Sequence, residues 1–523
     1  MPKRRTDGSP DREAEVTPSD IAAAVGLLTR IAMDRGLLAG VDASVREALQ
    51  RVAGEVARPG DDQRRKLRKA LLRAERDARK ARDGRLRKGT GIQRGRQAPV
   101  FVTPSPRLPP AGAGAQVAGE GSAAPELGEP RKCYVCKAPY RRLHSFYDQL
   151  CPSCGDENFA YRTATADLRG RVALVTGARV KIGYQAAILL LRAGCNVVAL
   201  TRFPRDAALR YAREPDFETW KDRLTLYGVD LRHTPGVELL CQRLDATLPR
   251  LDFQLHNACQ TVRRPPGFYA HLVEQEGVPF AAVAGELRSL LADYEELRAS
   301  LDDRRGAPGV ASPARLSQAP SEADGLLAGR SELELFPRGL LDQDLQQRDL
   351  RTHNSWRLSL HEVPTLELLE VLLVNATAPF VMTARLKPLM LRARSAPIGT
   401  ATSGDAAKHV VLVSAMEGQF YREHKTDKHP HTNMAKAALN MLVRTSAADY
   451  ARDGIHLNAV DTGWVTDEDP AHLAERKVEE HAFSPPLDIV DGAARIVAPI
   501  FEGFRTGQHR SGLFLKDYRP TPW

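Results

Sequence analysis

Residues 171–202 read RVALVTGARVKIGYQAAILLLRAGCNVVALTR. Val172 to Val175 are a short apolar run, the pattern of a strand buried on both faces. Thr176-Gly177-Ala178 is a turn of small residues, and an apolar-periodic helix follows from about Ile182 to Arg192. Gly194 stops it, and Asn196 to Leu200 form a second apolar run. Strand, turn, helix and strand within about 30 residues match the size of a nucleotide-binding βαβ unit. In such a unit the free N–H groups and the dipole of the helix N-terminus face a phosphate. Gly177 and Gly183 let backbone and cofactor approach closely. Lys181 stands where a third glycine is expected.

The chain has 523 residues, is 42% hydrophobic and carries a net charge of +10. That length has room for more than one domain. Residues 64–96 hold 15 Lys/Arg against 3 acids, which leaves the rest of the chain at −2. The basic character therefore belongs to one segment. No apolar stretch near 18–20 residues is free of charge, so no membrane span is expected. The start, MPKRRTDGSPDREAEV, lacks an apolar signal core, which predicts a cytoplasmic protein. Seven cysteines, four of them in two CxxC pairs, suit a reducing compartment better than a disulfide framework.

In chain order, residues 1–60 form a helical region, with Ser19 and Ser44 as the expected helix caps. Residues 61–96 form a basic helix or arm. It suits nucleic-acid phosphates or an acidic protein partner, or else it is a solvated helix. No aromatic residues interleave there to stack on bases. Residues 97–130 are a Pro/Ala/Gly-rich linker. Cys133-Tyr-Val-Cys136, fourteen residues and Cys151-Pro-Ser-Cys154 follow, the core of a module over 131–165. Two CxxC knuckles present four thiolates to one metal, which predicts a structural zinc with no open position. A redox CxxC couple is the alternative.

After the second strand stands Arg202, where an acidic residue would hold a ribose hydroxyl. A basic residue favours the 2′-phosphate of NADP(H) over NAD(H). Arg179 and Lys181 make the phosphate turn electropositive and are expected to contact the cofactor's phosphates. Residues 223–229 read as a third strand ending in Asp230-Leu231, and 251–256 as a fourth ending in Asn257-Ala258.

TGxxxxIG after the first strand, Asp-Leu after the third and Asn-Ala after the fourth resemble the short-chain dehydrogenase/reductase family. LLVNATAPFVMT resembles the family helix that carries its catalytic asparagine, here Asn375. VVLVSAMEG resembles the strand ending at its catalytic serine, here Ser414. MAKAALNMLVRTSAADYARDGIHLNAVDTGWVTDE resembles its active-site helix, the next strand and the loop that closes on the nicotinamide, with Gly463 and Val465 kept. The resemblance covers about 168–270 and 365–520. It implies a Rossmann-type doubly wound parallel α/β sheet over 168–523, a cofactor held by Thr176, Gly177, Ile182, Gly183, Asp230, Leu231, Asn257, Ala258 and Lys436, and a homo-oligomer. Residues 271–362 are an insertion at the carboxyl edge of the sheet, either over the substrate pocket or a surface excursion.

The family's acid/base is a tyrosine four residues before the lysine. Here Lys436 is present, but Thr432 occupies that position. An aliphatic hydroxyl is a far weaker acid than a phenol. Tyr421 or His431, in the lengthened segment between Ser414 and Lys436, could supply the proton; His424 and His429 lie in the same segment. Thr462 also replaces the family proline before Gly463. Two functions fit: an NADP(H)-dependent oxidoreductase acting on a small-molecule carbonyl or alcohol, or a non-catalytic NADP(H)-binding scaffold or sensor working through protein or nucleic-acid partners.

Overall fold

Two sheets carry the strands. An antiparallel hairpin joins β1 (Glu126–Lys132) to β2 (Pro139–Arg142). The large sheet contains β3 (Val172–Thr176), β4 (Asn196–Thr201), β5 (Leu224–Gly228), β6 (Phe253–His256), β7 (Lys408–Ser414), β8 (Ile455–Asp461), β9 (Leu513–Lys516) and β10 (Arg519–Thr521). Its order is β10-β9-β8-β7-β6-β3-β4-β5, and every pair is parallel except β10 with β9. This computed structural model describes residues 16–105, 125–301, 307–316, 331–392, 407–422, 425–481 and 484–523. Most of the expected linker, parts of the insertion, and His424 lie outside the described residues.

The strand order explains the unbroken apolar runs in the sequence. Val172 and Leu174 of β3 join one buried cluster while Ala173 and Val175 join the other, so helices cover both faces of the sheet. One face packs the helices Lys181–Arg192 and Ile489–Thr506, the other Thr234–Thr247 and Pro430–Arg452. The chain reverses direction across the sheet between β3 and β6, which opens a crevice at their carboxyl ends.

The helix Thr365–Arg385 is long and apolar enough, by length and composition, to cross a membrane. It carries Glu367 and Glu370, both buried. Glu370 pairs with Arg232 at 2.6 Å and with Arg263 at 3.1 Å, the contacts of an interior helix. A π-turn over Leu373–Thr377 interrupts it at Asn375.

The insertion does two things. Its helix Gly285–Ala299 covers β5, the edge strand, and a Cβ on Gly228 would lie 2.3 Å from the Tyr294 hydroxyl. Its later residues line the crevice, as described below.

The chain divides into two units, Met1–Ala81 and Arg82–Trp523. In the first, the helices Pro18–Met33 and Ala43–Ala57 bury no side chain. Thr17, not Ser19, caps the first helix, in a reciprocal box with Asp20. Asp42, not Ser44, precedes the second. The basic segment forms two helices, Asp61–Lys88 and Gly91–Gln97; the last turns of the first and all of the second belong to the second unit. The four-cysteine segment packs within that second unit. Cys133, Tyr147, Leu150 and Cys154 share a core with Val465, Leu487, Ile489 and Val490.

Candidate active-site cleft

A cleft of about 1320 Å³ runs along the carboxyl ends of the strands. Of the residues singled out above, Gly177, Arg179, Lys181, Ile182, Arg202, Asp230, Leu231, Asn257, Ala258, Ser414, Lys436, Gly463 and Val465 line it. Residues scattered over nearly 290 positions thus meet in one place. Thr176, Gly183 and Asn375 lie behind its wall.

The phosphate turn is braced by β6. The Thr176 hydroxyl accepts from the backbone N–H of Ala258 at 2.9 Å, and the Asn257 amide donates to the carbonyl oxygens of Thr176 and Gly177 at 3.3 and 3.4 Å. Gly177 has φ +67°, and a Cβ there would approach Ala258 Cα to 2.9 Å. A Cβ on Gly183 would lie 2.4 Å from the Gly177 carbonyl oxygen. Lys181 adopts φ +57°, the left-handed backbone that a glycine takes without strain. Burial alone would lower its ammonium pKa, but the carboxylates of Glu468, Asp344 and Asp342 outweigh it and raise the pKa above the ordinary value.

Arg179 lies in this turn, but its charge is already met. Its Nη1 is 2.7 Å from Asp206, and its Nη2 donates to Gln346 of the insertion at 3.1 Å. Arg202 is placed differently. Its Nη2 donates to the Tyr269 hydroxyl at 2.9 Å, and its guanidinium lies 4.8 Å over the Tyr269 ring. Burial would raise the Tyr269 phenol, yet the guanidinium groups of Arg202, Arg264 and Arg179 pull it below its ordinary pKa. Of these three, Arg179 is paired with Asp206 and Arg264 with Asp349, which leaves Arg202, on the Tyr269 hydroxyl, as the cation of this pocket beside β4. Asp230 is held by Arg232 at 2.7 Å. Burial would raise its carboxyl, and this pairing lowers it instead.

At the other end, Ser414 terminates β7, and its Oγ donates to the Lys436 carbonyl oxygen at 3.2 Å. The Lys436 Nζ donates to the Val413 carbonyl oxygen at 2.7 Å. The helix Pro430–Arg452 presses against the turn Met416–Gly418 so closely that a Cβ on Gly418 would approach Lys436 C to 2.8 Å. Asn375 pins the segment after β6. Its Oδ1 accepts from the Gln260 N–H at 2.7 Å, and its Nδ2 donates to the Gln260 carbonyl oxygen at 3.1 Å.

Thr432, four residues before Lys436, is buried, and its hydroxyl has no hydrogen-bond partner. Neither expected stand-in for the tyrosine lines the cleft. Tyr421 is 94% exposed. His431 is buried, its Nε2 3.6 Å from a Glu367 oxygen. Its neighbour His429 stacks on Trp356 at 3.8 Å.

The loop after β8 closes this end. The Gly463 N–H donates to Asp461 at 2.7 Å, and φ at Gly463 is +77°. Asn354 of the insertion donates to the Glu468 carbonyl oxygen at 2.9 Å. With Asp342, Gln346 and Trp356, it makes the insertion part of the cleft wall. Sequence reasoning missed four cleft residues in particular: Tyr134, Lys137, Tyr269 and Trp356. The only local signal among them is the aromatic at 269 beside the basic pair Arg263-Arg264.

The four cysteines lie together away from any disulfide. Their ligand atoms are all within 4.8 Å of one another, and Cys136 Sγ is 3.8 Å from Cys151 Sγ. A tetrahedral zinc with bonds of about 2.3 Å needs sulfurs about 3.8 Å apart, so the donor set fits that ion. The backbone N–H of Ala138 is the main cause that lowers the Cys136 thiol to about 7. The backbone N–H of Cys151 donates to Cys133 Sγ at 3.3 Å.

A family model described as enoyl-(acyl carrier protein) reductase matches residues 353–484. The chain is 31% identical over 382 residues to an uncharacterized protein of Acanthamoeba polyphaga mimivirus, covering 71% of each chain. It is 34% identical over 104 residues to dehydrogenase/reductase SDR family member 13 of Bos taurus, covering 19% of this chain and 27% of that one. Among solved structures, a short chain dehydrogenase of Escherichia coli CFT073 complexed with NADPH is 16% identical, with 68% of this chain and 99% of that chain covered and a TM-score of 0.39.

Proposed function

We propose that the chain is a member of the short-chain dehydrogenase/reductase family and, on that premise, an NADP(H)-dependent oxidoreductase. Its substrate is a small carbonyl or alcohol. The observation that carries the reading is Arg202, held on the Tyr269 hydroxyl at 2.9 Å at the end of β4, where it lines the cleft. That position suits a 2′-phosphate. The phosphate turn and Lys181 hold the diphosphate, and Asp230 and Leu231 flank the adenine side. When bound, the cofactor supplies or accepts a hydride. Lys436 binds its nicotinamide ribose, Ser414 orients the substrate oxygen, and Asn375 keeps the segment after β6 in place. The loop Gly463–Val465 excludes water from the reacting carbon. Four cysteines hold a structural zinc.

Titration calorimetry should show NADPH binding more tightly than NADH, and NADPH should be oxidised with members of an aldehyde and ketone panel. Equal affinity for the two cofactors would remove the phosphate pocket. No oxidation across the panel would remove turnover.

One observation favours a non-catalytic cofactor-binding scaffold instead. Ser414 and Lys436 are satisfied by backbone carbonyl oxygens, and the Thr432 hydroxyl has no partner. In that reading NADP(H) occupancy sets shape, and the basic helix Asp61–Lys88 contacts an acidic or nucleic-acid partner. We also propose a homo-oligomer. The helices Thr365–Arg385 and Pro430–Arg452 leave Leu366, Leu369, Phe380, Met434 and Met441 exposed, a surface suited to a second copy. A monomer in sedimentation would remove it.

A further inference from the structure

The two cysteine knuckles do more than fold their own hairpin. The segment is tied to the last part of the chain by buried polar contacts. The Tyr147 hydroxyl donates to Asp491 at 2.6 Å, and Arg162 bridges Asp488 and Asp491 at 2.5 and 2.9 Å. These contacts are nearly dry, and they place the first knuckle at the mouth of the cleft. Between Cys133 and Cys136 sits Tyr134. Its hydroxyl accepts the backbone N–H of Trp464 at 2.9 Å. A Cβ on Gly463 would lie 3.3 Å from the same oxygen and 2.5 Å from Leu487 Cδ1. The ammonium of Lys516 lies 5.7 Å from the Tyr134 ring. Lys137, just past the knuckle with φ +63°, lines the cleft as well.

The knuckle turn also has backbone bonds of its own, among them Lys137 N–H to the Cys133 carbonyl oxygen at 3.1 Å. The Cys133 N–H donates to the Ala138 carbonyl oxygen at 2.9 Å, and the Tyr134 N–H to that of Gln149 at 2.9 Å. Four thiolates on one ion would lock the turn, because metal binding in such a site is itself folding free energy.

We propose that the four-cysteine site is a positioning element of the cleft: a metal held by Cys133, Cys136, Cys151 and Cys154 fixes Tyr134, which in turn fixes the backbone of the Gly463–Val465 loop. This rests on the reading of that loop as the part of the cleft that closes on the cofactor. Tyr134 acts here as a positioning residue, through the Trp464 N–H. The metal site and the cofactor site are then one coupled system, although no cysteine touches the cofactor.

The test uses the full chain. Hydrogen exchange across residues 461–470, metal content and NADPH affinity are measured for the unaltered protein, for Tyr134→Phe, and for protein stripped of zinc by a chelator and then refilled. Tyr134→Phe should keep its zinc, since no ligand changes. Loss of one accepted hydrogen bond should speed exchange at Trp464 by about two- to tenfold and weaken NADPH by a similar factor. Stripping should speed the same exchange, and zinc should reverse it. Unchanged exchange in zinc-loaded Tyr134→Phe overturns the proposal, as does stripped protein that exchanges like the filled form. A chain that takes up no zinc overturns the metal's part in it. If the unaltered protein binds no NADPH, the oxidoreductase reading falls, and the exchange data still decide whether knuckle and loop are coupled.

Discussion

Replacing Arg202 with alanine should weaken NADPH far more than NADH. The guanidinium is held at two points: its Nη2 donates to the Tyr269 hydroxyl at 2.9 Å, and its plane lies 4.8 Å over the Tyr269 ring. A side chain fixed in this way gives up little freedom on meeting a phosphate. A charge-assisted hydrogen bond to a phosphate contributes about 1.5–3 kcal/mol. Arg202→Ala should therefore weaken NADPH by about 10- to 150-fold. NADH presents only a hydroxyl there and should change by less than about threefold. Arg179→Ala is the internal control. That guanidinium lines the same cleft, but its Nη1 is 2.7 Å from Asp206, and both side chains are nearly buried. Its charge is spent on Asp206, so its loss should reduce stability and both affinities together, with the NADPH-to-NADH ratio kept. Calorimetric titration of both cofactors at one fixed ionic strength measures this, since exposed charge contacts weaken with salt. An unchanged ratio in Arg202→Ala refutes the reasoning. So does a ratio that collapses in Arg179→Ala alone.

Glu276 accepts the N–H groups of Arg205 and Asp206 at 2.9 and 3.2 Å, and burial pushes its carboxyl up to about 7. Its folded pKa lies above the unfolded one, so its stabilisation is present below the unfolded value and is lost as pH rises through 7. Glu276→Gln keeps the acceptor oxygen, and its stability advantage should grow by about 2–3 kcal/mol between about pH 5 and pH 8 in denaturant titrations; a constant gap counts against it. Thr432→Val removes a buried hydroxyl that has no partner, so stability should be kept or rise by about 1 kcal/mol, with NADPH affinity intact. A loss of turnover alone would assign that hydroxyl to the chemistry. Lys436→Met should weaken NADPH by about tenfold or more, because the ammonium held on the Val413 carbonyl oxygen next to Ser414 is lost; full affinity would move the ribose site elsewhere.

The βαβ unit was legible because its signals are local. Val172 to Thr176, Lys181 to Arg192 and Asn196 to Thr201 form where the apolar runs and Gly194 place them, and the sheet confines each run between two helical layers. The identity of the turn residues was legible too, since Gly177 and Gly183 lie where a Cβ would collide with neighbouring backbone. Helix caps were less so. Thr17 outcompetes Ser19 because its side chain and that of Asp20 satisfy each other's N–H groups. What the sequence hides is pairing at long range. Arg179 reads as a phosphate ligand until Asp206 is seen 2.7 Å away, and Tyr134 reads as filler between two cysteines until it meets Trp464, 330 residues on. Neither pairing leaves a periodic or compositional trace.

The same limit bears on the missing tyrosine. In the sequence, Tyr421 and His431 are nearby substitutes. The fold removes both from the cleft for opposite reasons: one side chain faces solvent, and the other is buried against Glu367. Two protic groups that do line the cleft come from distant segments, Lys436 from the long helix and Tyr134 from the cysteine hairpin. Lys436 is engaged with the Val413 carbonyl oxygen, and a ribose hydroxyl could take that oxygen's place as the ammonium's acceptor. Such an exchange takes the ammonium away from the Val413 carbonyl oxygen, so the ribose must offer a bond at least as good as the one it replaces. Thr432 is buried and does not line the cleft, so under the oxidoreductase reading the proton donor is to be sought among the groups that do line it, not at the helix position where the resemblance places the family's acid.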